Sequence, residues 1–228
     1  MKNAKRIIDW SLMLAAAILI IVFAVLREQS FIKTLPTLIT LAVQLLMVRA
    51  NRFAFLLGGV NALIYGISYF SEGLYFSLVS AVLISAPIQI YSFIAWSKKT
   101  NKVTPELRFL GIRKLALAVG VSLVGWAISA FGLSGLFAGA AYPAIDSYIF
   151  VMSITISFLA AWRYVDSQYL NIISTLLGLI LWILLTLRDP ANFNYVIISC
   201  YNLYRIVQAS ISWTQKYYQS KKTGEKAI

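Results

Sequence analysis

The chain has 228 residues, 60% of them hydrophobic and 12% charged, with a net charge of +12 and a mean hydropathy of +0.79. Soluble domains carry about 45–50% apolar and about 25% charged residues, so a water-soluble fold is excluded and the bilayer is the solvent that fits. The basic residues lie between apolar runs, which excludes nucleic acid as a partner and assigns the charge to topology and to anionic membrane lipid.

A spanning helix needs about 20 mostly apolar residues, and eight windows qualify. The first, Trp10–Leu26, follows Lys2, Lys5 and Arg6 as a signal peptide would, but it is longer than an h-region and lacks an A-x-A-like site, so it is expected to be a retained span. Phe31–Val48, Phe53–Phe70 and Leu74–Trp96 follow, separated by short turns such as Ser71-Glu72-Gly73 that force antiparallel neighbours. The polar stretch Ser97–Lys114, with six basic residues, reads as a solvated linker. Leu115–Phe131, Tyr142–Trp162, Tyr169–Leu187 and Phe193–Trp213 complete the set. With both chain ends on one side, the segments on that side hold 16 Lys and Arg and the opposite segments hold 3, which places both termini in the cytoplasm.

Two parts of the chain resemble each other. In Leu46–Lys99 a basic residue (Arg49) precedes an apolar span, a short turn, an aromatic span and Trp96-Ser97-Lys98-Lys99; in Ala160–Lys216, Arg163 precedes the same order ending at Trp213-Thr214-Gln215-Lys216. One linking helix between the triplets gives them the same orientation. The expected fold is therefore an all-α integral membrane protein of about eight helices, with an N-terminal extra helix (1–30), a first three-helix repeat (31–99), a basic linker and connecting helix (100–135), a second repeat (136–216) and a tail (217–228). Parallel repeats of this kind enclose a transport site near the membrane midplane.

Polar residues in lipid are costly unless they face the bundle interior. Gln168, Asn171 and Thr175 recur at spacings of three and four, so they share one helix face. Asn61 lies at the repeat position matching Thr175, and Gln89 and Asn202 lie in the fourth and eighth spans. Amides and a hydroxyl both donate and accept, which suits a nucleobase edge or ribose hydroxyls; helix-to-helix bonding is the alternative. Tyr91 and Tyr201 either stack on a flat ring or belong, like Trp10, Trp96, Trp162 and Trp213, to interfacial belts. Asp146 reads as the cap of its own helix or as a gate, Arg205 as a cation snorkelling to the cytoplasmic surface, and Cys200 as a buried thiol.

With no histidine, one cysteine and no carboxylate cluster, the chain offers neither metal site nor acid–base machinery, so no enzyme and no cofactor are expected. It lacks a Walker A sequence, so it does not itself use ATP, and no lysine stands in the last span to hold retinal.

Ala86-Pro87-Ile88-Gln89-Ile90-Tyr91-Ser92-Phe93-Ile94-Ala95-Trp96 is similar to the P-x-Q-x-Y-G-x-x-x-W ending of a span in the PnuC family of vitamin transporters, relatives of the SWEET sugar facilitators. Pro143-Ala144-Ile145-Asp146-Ser147 with Ser153, Ala160 and Arg163, and then Arg163-Tyr164-Val165-Asp166, resemble that family's next motifs, so the resemblance covers about residues 45–216. It implies a homotrimer in a bacterial cytoplasmic membrane that facilitates uptake of a nicotinamide-riboside-like or (deoxy)nucleoside solute, which is then trapped by phosphorylation. Thiamine, riboflavin, and a role as substrate-binding subunit of an ATP-driven importer are the alternatives. Nicotinamide riboside carriers of the family have W-x-x-W early in the seventh span; aligned on Arg163–Asp166, those positions here are Gln168 and Asn171, which tilts the expectation toward nucleosides.

Overall fold

The computed structural model describes residues 2–98, 107–137 and 139–225; Lys99 and Lys102 of the basic linker lie outside them. The helices are α1 (Lys2–Leu26), α2 (Phe31–Val48), α3 (Phe53–Ser71), α4 (Tyr75–Val79), α5 (Ala86–Lys98), α6 (Ile112–Ala127), α7 (Pro143–Ala161), α8 (Asp166–Arg188) and α9 (Phe193–Glu225). A π-helical turn, Ser80–Ser85, joins α4 to α5 into one span, and a second, Ile128–Leu133, extends α6. Among the described residues seven spans are long and apolar enough to cross a membrane. The eighth long helix, α9, is more polar because Asn194, Asn202, Arg205 and Gln208 interrupt its apolar run.

The turns have a physical pattern. α1, α2, α3 and α7 each close with a residue in the left-handed region, at Glu28 (φ 48°), Ala50 (φ 50°), Gly73 (φ 69°) and Arg163 (φ 68°). The ends of α2 and α7 are built alike: Ala50 N–H donates to Met47 O and Asn51 N–H to Leu46 O, while Arg163 N–H donates to Ala160 O and Tyr164 N–H to Leu159 O. These paired bonds satisfy the last carbonyls of a helix as its chain reverses. The two ends are 113 residues apart (163 − 50), so α3 and α8 run in a common register in which Asn61 corresponds to Ser174, one residue short of the expected Thr175.

Long-range contacts sort the helix ends into two sides. One side carries the linker and the Trp96 and Trp213 ends of α5 and α9; the other carries Lys33, Glu72 and Asn192. At the first, Arg108 pairs by backbone bonds with the α7–α8 turn, and Leu110 N–H donates to Asp166. α1 sits outside the bundle against α2 and α9, packing Ala16 and Ile20 on Leu41, Ile198 and Tyr201.

Three expectations change here. Trp96 and Trp213 are fully buried against each other and Phe55, not spread in a belt, because each indole N–H reaches a helix-end carbonyl across the bundle, Ala161 O at 3.3 Å and Met47 O at 2.9 Å. Trp10 and Trp162 are exposed, as a belt residue is. Arg205 does not snorkel: it is fully buried, 2.7 Å from Asp9 Oδ1, and its Nε–H donates to Tyr201, because α1 brings a carboxylate to it. Cys200 is exposed, on the side of α9 turned away from its neighbours.

Candidate functional site

A cavity of about 310 Å³ lies between α2, α3, the α4–α5 span, α7 and α8. None of its lining residues is charged, and among the described residues α1, α6 and α9 contribute nothing to its wall. The π-helical turn supplies Ser80 and Ser85, whose hydroxyls the wider turn brings onto the cavity face.

Four expected residues meet there: Asn61 from α3, Gln89 from α5, and Gln168 and Asn171 from α8. Gly58 makes room for Gln89; a Cβ at position 58 would lie 2.1 Å from Gln89 Oε1. Asn61 Nδ2 donates to Thr40 Oγ1 at 2.8 Å, and Thr40 donates to Pro36 O at 2.7 Å. Three lining amide oxygens, Gln44 Oε1, Asn61 Oδ1 and Gln168 Oε1, are buried without any partner. A buried acceptor left unpaired costs about 1–3 kcal/mol.

The other expected residues lie elsewhere. Thr175 is outside the lining and donates to Asn171 Oδ1 at 3.5 Å, while Ser174 takes the wall position. Tyr91 is 58% exposed on the outer face of α5. Tyr201 is buried between α1 and α2 and bonded to Arg205, and Asn202, on the same helix, is also away from the cavity.

Asp146 does not cap its own helix. It is fully buried and accepts from Phe76 N–H (3.0 Å), Ser77 N–H (3.2 Å) and the Ser77 hydroxyl, so it holds the start of α4, and Ser77 lines the cavity. The reason is geometric: Asp146 sits one turn into α7, after Pro143, where its own helix has few orphan donors left, whereas the start of α4 offers two.

Several lining residues were missed from sequence. The aromatic wall consists of Phe55, Tyr65, Tyr69 and Phe150. Tyr65 and Tyr69 stack at 5.5 Å and continue through Trp182 (6.4 Å from Tyr69) to Tyr195 (4.0 Å from Trp182). Such rings offer faces to a planar solute. The signal was present, since Asn61, Tyr65 and Tyr69 recur every four residues on one face of α3, and Thr40 and Gln44 do so on α2. No group of histidine, cysteine or carboxylate side chains suited to a metal occurs among the described residues.

A family model described as nicotinamide mononucleotide transporter matches residues 30–215. The fold is similar to that in a crystal structure of the vitamin B3 transporter PnuC, with a TM-score of 0.78 and 19% identity, over 93% of this chain and 92% of that one. No curated protein matches the chain.

Proposed function

Because the chain belongs to the nicotinamide mononucleotide transporter family, we propose that it is a multi-pass facilitator that carries a nicotinamide-riboside-like or (deoxy)nucleoside solute. The observation that carries this reading is the uncharged cavity, walled by amides, hydroxyls and aromatic rings and holding three unpartnered amide oxygens. Aromatic faces suit a base and polar edges suit a ribose. The family description names a mononucleotide, but a phosphate brings about −1.5 to −2 charges at pH 7, and burying it without a cation is strongly unfavourable. Nothing charged lines the cavity, so the solute of choice is the dephosphorylated nucleoside.

The same reading includes a bacterial cytoplasmic membrane, both ends in the cytoplasm as the excess of basic residues there favours, a homotrimer, and phosphorylation after uptake to trap the solute. The test uses purified protein in liposomes with radiolabelled nicotinamide riboside, adenosine, deoxyadenosine and nicotinamide mononucleotide. Saturable movement of nucleosides down their gradient, without ATP and without response to proton or sodium gradients, is expected, with the mononucleotide excluded. Strict dependence on ATP or an ion gradient, or preference for the mononucleotide, would defeat the proposal.

A further inference from the structure

We infer that the wall between α2 and α3 recognises a hydrogen-bond donor on the solute, and that Thr40 sets this polarity by fixing Asn61 as an acceptor. The inference rests on the transporter reading above and names the chemistry of one solute group: an amino or hydroxyl hydrogen, not a carbonyl or an oxyanion.

An Asn side chain ordinarily turns either its oxygen or its NH₂ toward a neighbour, and the hydrogen-bond network decides which. Here the shorter bond decides. The Pro36 carbonyl only accepts, so the Thr40 hydroxyl hydrogen 2.7 Å away goes to it; the Tyr65 hydroxyl at 3.4 Å is the longer alternative. Thr40 Oγ1 is then an acceptor for Asn61, which must present Nδ2 at 2.8 Å. Asn61 Oδ1 is left buried and unpartnered on a residue that lines the cavity. Thr40 and Asn61 are only 7% and 5% exposed, so water does not readily substitute for this chain of bonds.

Neighbouring hydroxyls have the same sign. Ser77 gives its hydrogen to the Asp146 carboxylate and Ser92 to Ile88 O at 2.6 Å, while Ser153 is paired with both Phe150 O and the Ser80 hydroxyl. Ser77 and Ser92 line the cavity and keep their lone pairs free. A solute that brings only acceptors to this wall meets oxygen against oxygen, whereas an exocyclic amine or a ribose hydroxyl completes the pattern.

The test measures uptake by the full chain in liposomes of adenosine against purine riboside, which differ by one amino group, and of adenosine against 2′-deoxyadenosine, which differ by one hydroxyl. The wild-type protein is expected to favour adenosine in at least one pair by about tenfold, as a hydrogen bond to a buried acceptor implies. Thr40→Val keeps the volume but frees the Asn61 amide to turn, and the preference should fall to near unity; Thr40→Ser should restore it. Asn61→Leu provides a second route and should also erase it. Preference unchanged in Thr40→Val or Asn61→Leu overturns the assignment of these residues, and equal uptake within both pairs by the wild type overturns the inference while leaving transport intact. Uptake of none of the three solutes overturns the nucleoside reading and the inference with it.

Discussion

The two ends of the cavity are both closed by aromatic packing, but only one of them carries a polar rim. At the linker end, Trp96 and Trp213 pack at 5.7 Å and Phe55 meets Trp96 at 4.6 Å, all fully or nearly buried, and each indole is tied to a helix end from the other half of the chain. At the far end an aromatic cluster, in which Trp182 stacks on the fully buried Tyr195 at 4.0 Å, is topped by a polar rim. Lys33 pairs with Glu72 at 2.8 Å with side chains 26% and 10% exposed, Asn192 donates to Glu72 at 2.8 Å, and Gln29 donates to Ala191 O at 3.1 Å. Dispersion and apolar burial hold both ends, and the far end adds a rim of exchangeable hydrogen bonds, each replaceable by water. A transporter must open each end in turn, and only the far end has a charged, hydrogen-bonded rim that water and salt can loosen.

The largest expected effect is at the linker end. Trp213→Ala removes a buried indole and leaves the Met47 carbonyl without that partner, so it should cost about 3–5 kcal/mol, read as a fall in the thermal unfolding midpoint in detergent. Trp96→Ala should do the same through Ala161 O. A loss as small as that of a surface substitution would show that the two ends do not differ. Arg205 lies away from the cavity and provides a control: Arg205→Ala leaves Asp9 unpaired and should cost about 3–5 kcal/mol by the same measurement, with solute preference unchanged. A change in preference would mean that the α1–α9 seam reaches the site.

Between the ends, Gly58→Ala should act on the solute more than on the fold. The new Cβ meets Gln89 Oε1, the far end of a flexible side chain that can move. Stability should change by about 1 kcal/mol or less, while the solute concentration for half-maximal uptake rises because Gln89 leaves its place in the wall. Unchanged uptake would remove Gln89 from the solute's contacts.

How much of this was legible follows from particular residues. The window boundaries and the family followed from apolar length and from motifs around Gln89 and Arg163, because the bilayer makes those signals strong. Gln168 and Asn171 followed from the family motif aligned on Arg163–Asp166, with helix-face spacing in support, and both line the cavity. The outward placement of Tyr91 was legible: it is two residues beyond Gln89, about 200° around the helix at about 100° per residue, so the two cannot face one cavity. Trp96, Arg205 and Asp146 were not legible, since their partners Ala161, Asp9 and Ser77 are 65, 196 and 69 residues away, and only the packed bundle brings them together. The one-residue difference between Thr175 and Ser174 came from aligning on Arg49 and Arg163, although it is Ala50 that takes the same left-handed position as Arg163.

The smallest effect on stability, and the sharpest test of the comparison, is at the far end. Glu72→Gln removes the charge from the Lys33 pair but keeps a carbonyl able to accept from Asn192. A partly exposed pair contributes about 0–1 kcal/mol, so the unfolding midpoint should scarcely move. If opening of this end limits the cycle, the same loss should raise the uptake rate by up to about fivefold, since 1 kcal/mol corresponds to that factor, and added salt should speed the wild type toward the variant by screening the pair. A rate that is unchanged in the variant and insensitive to salt would mean that aromatic packing, and not the polar rim, sets the pace, and the charged pair would then have no bearing on how fast the solute crosses.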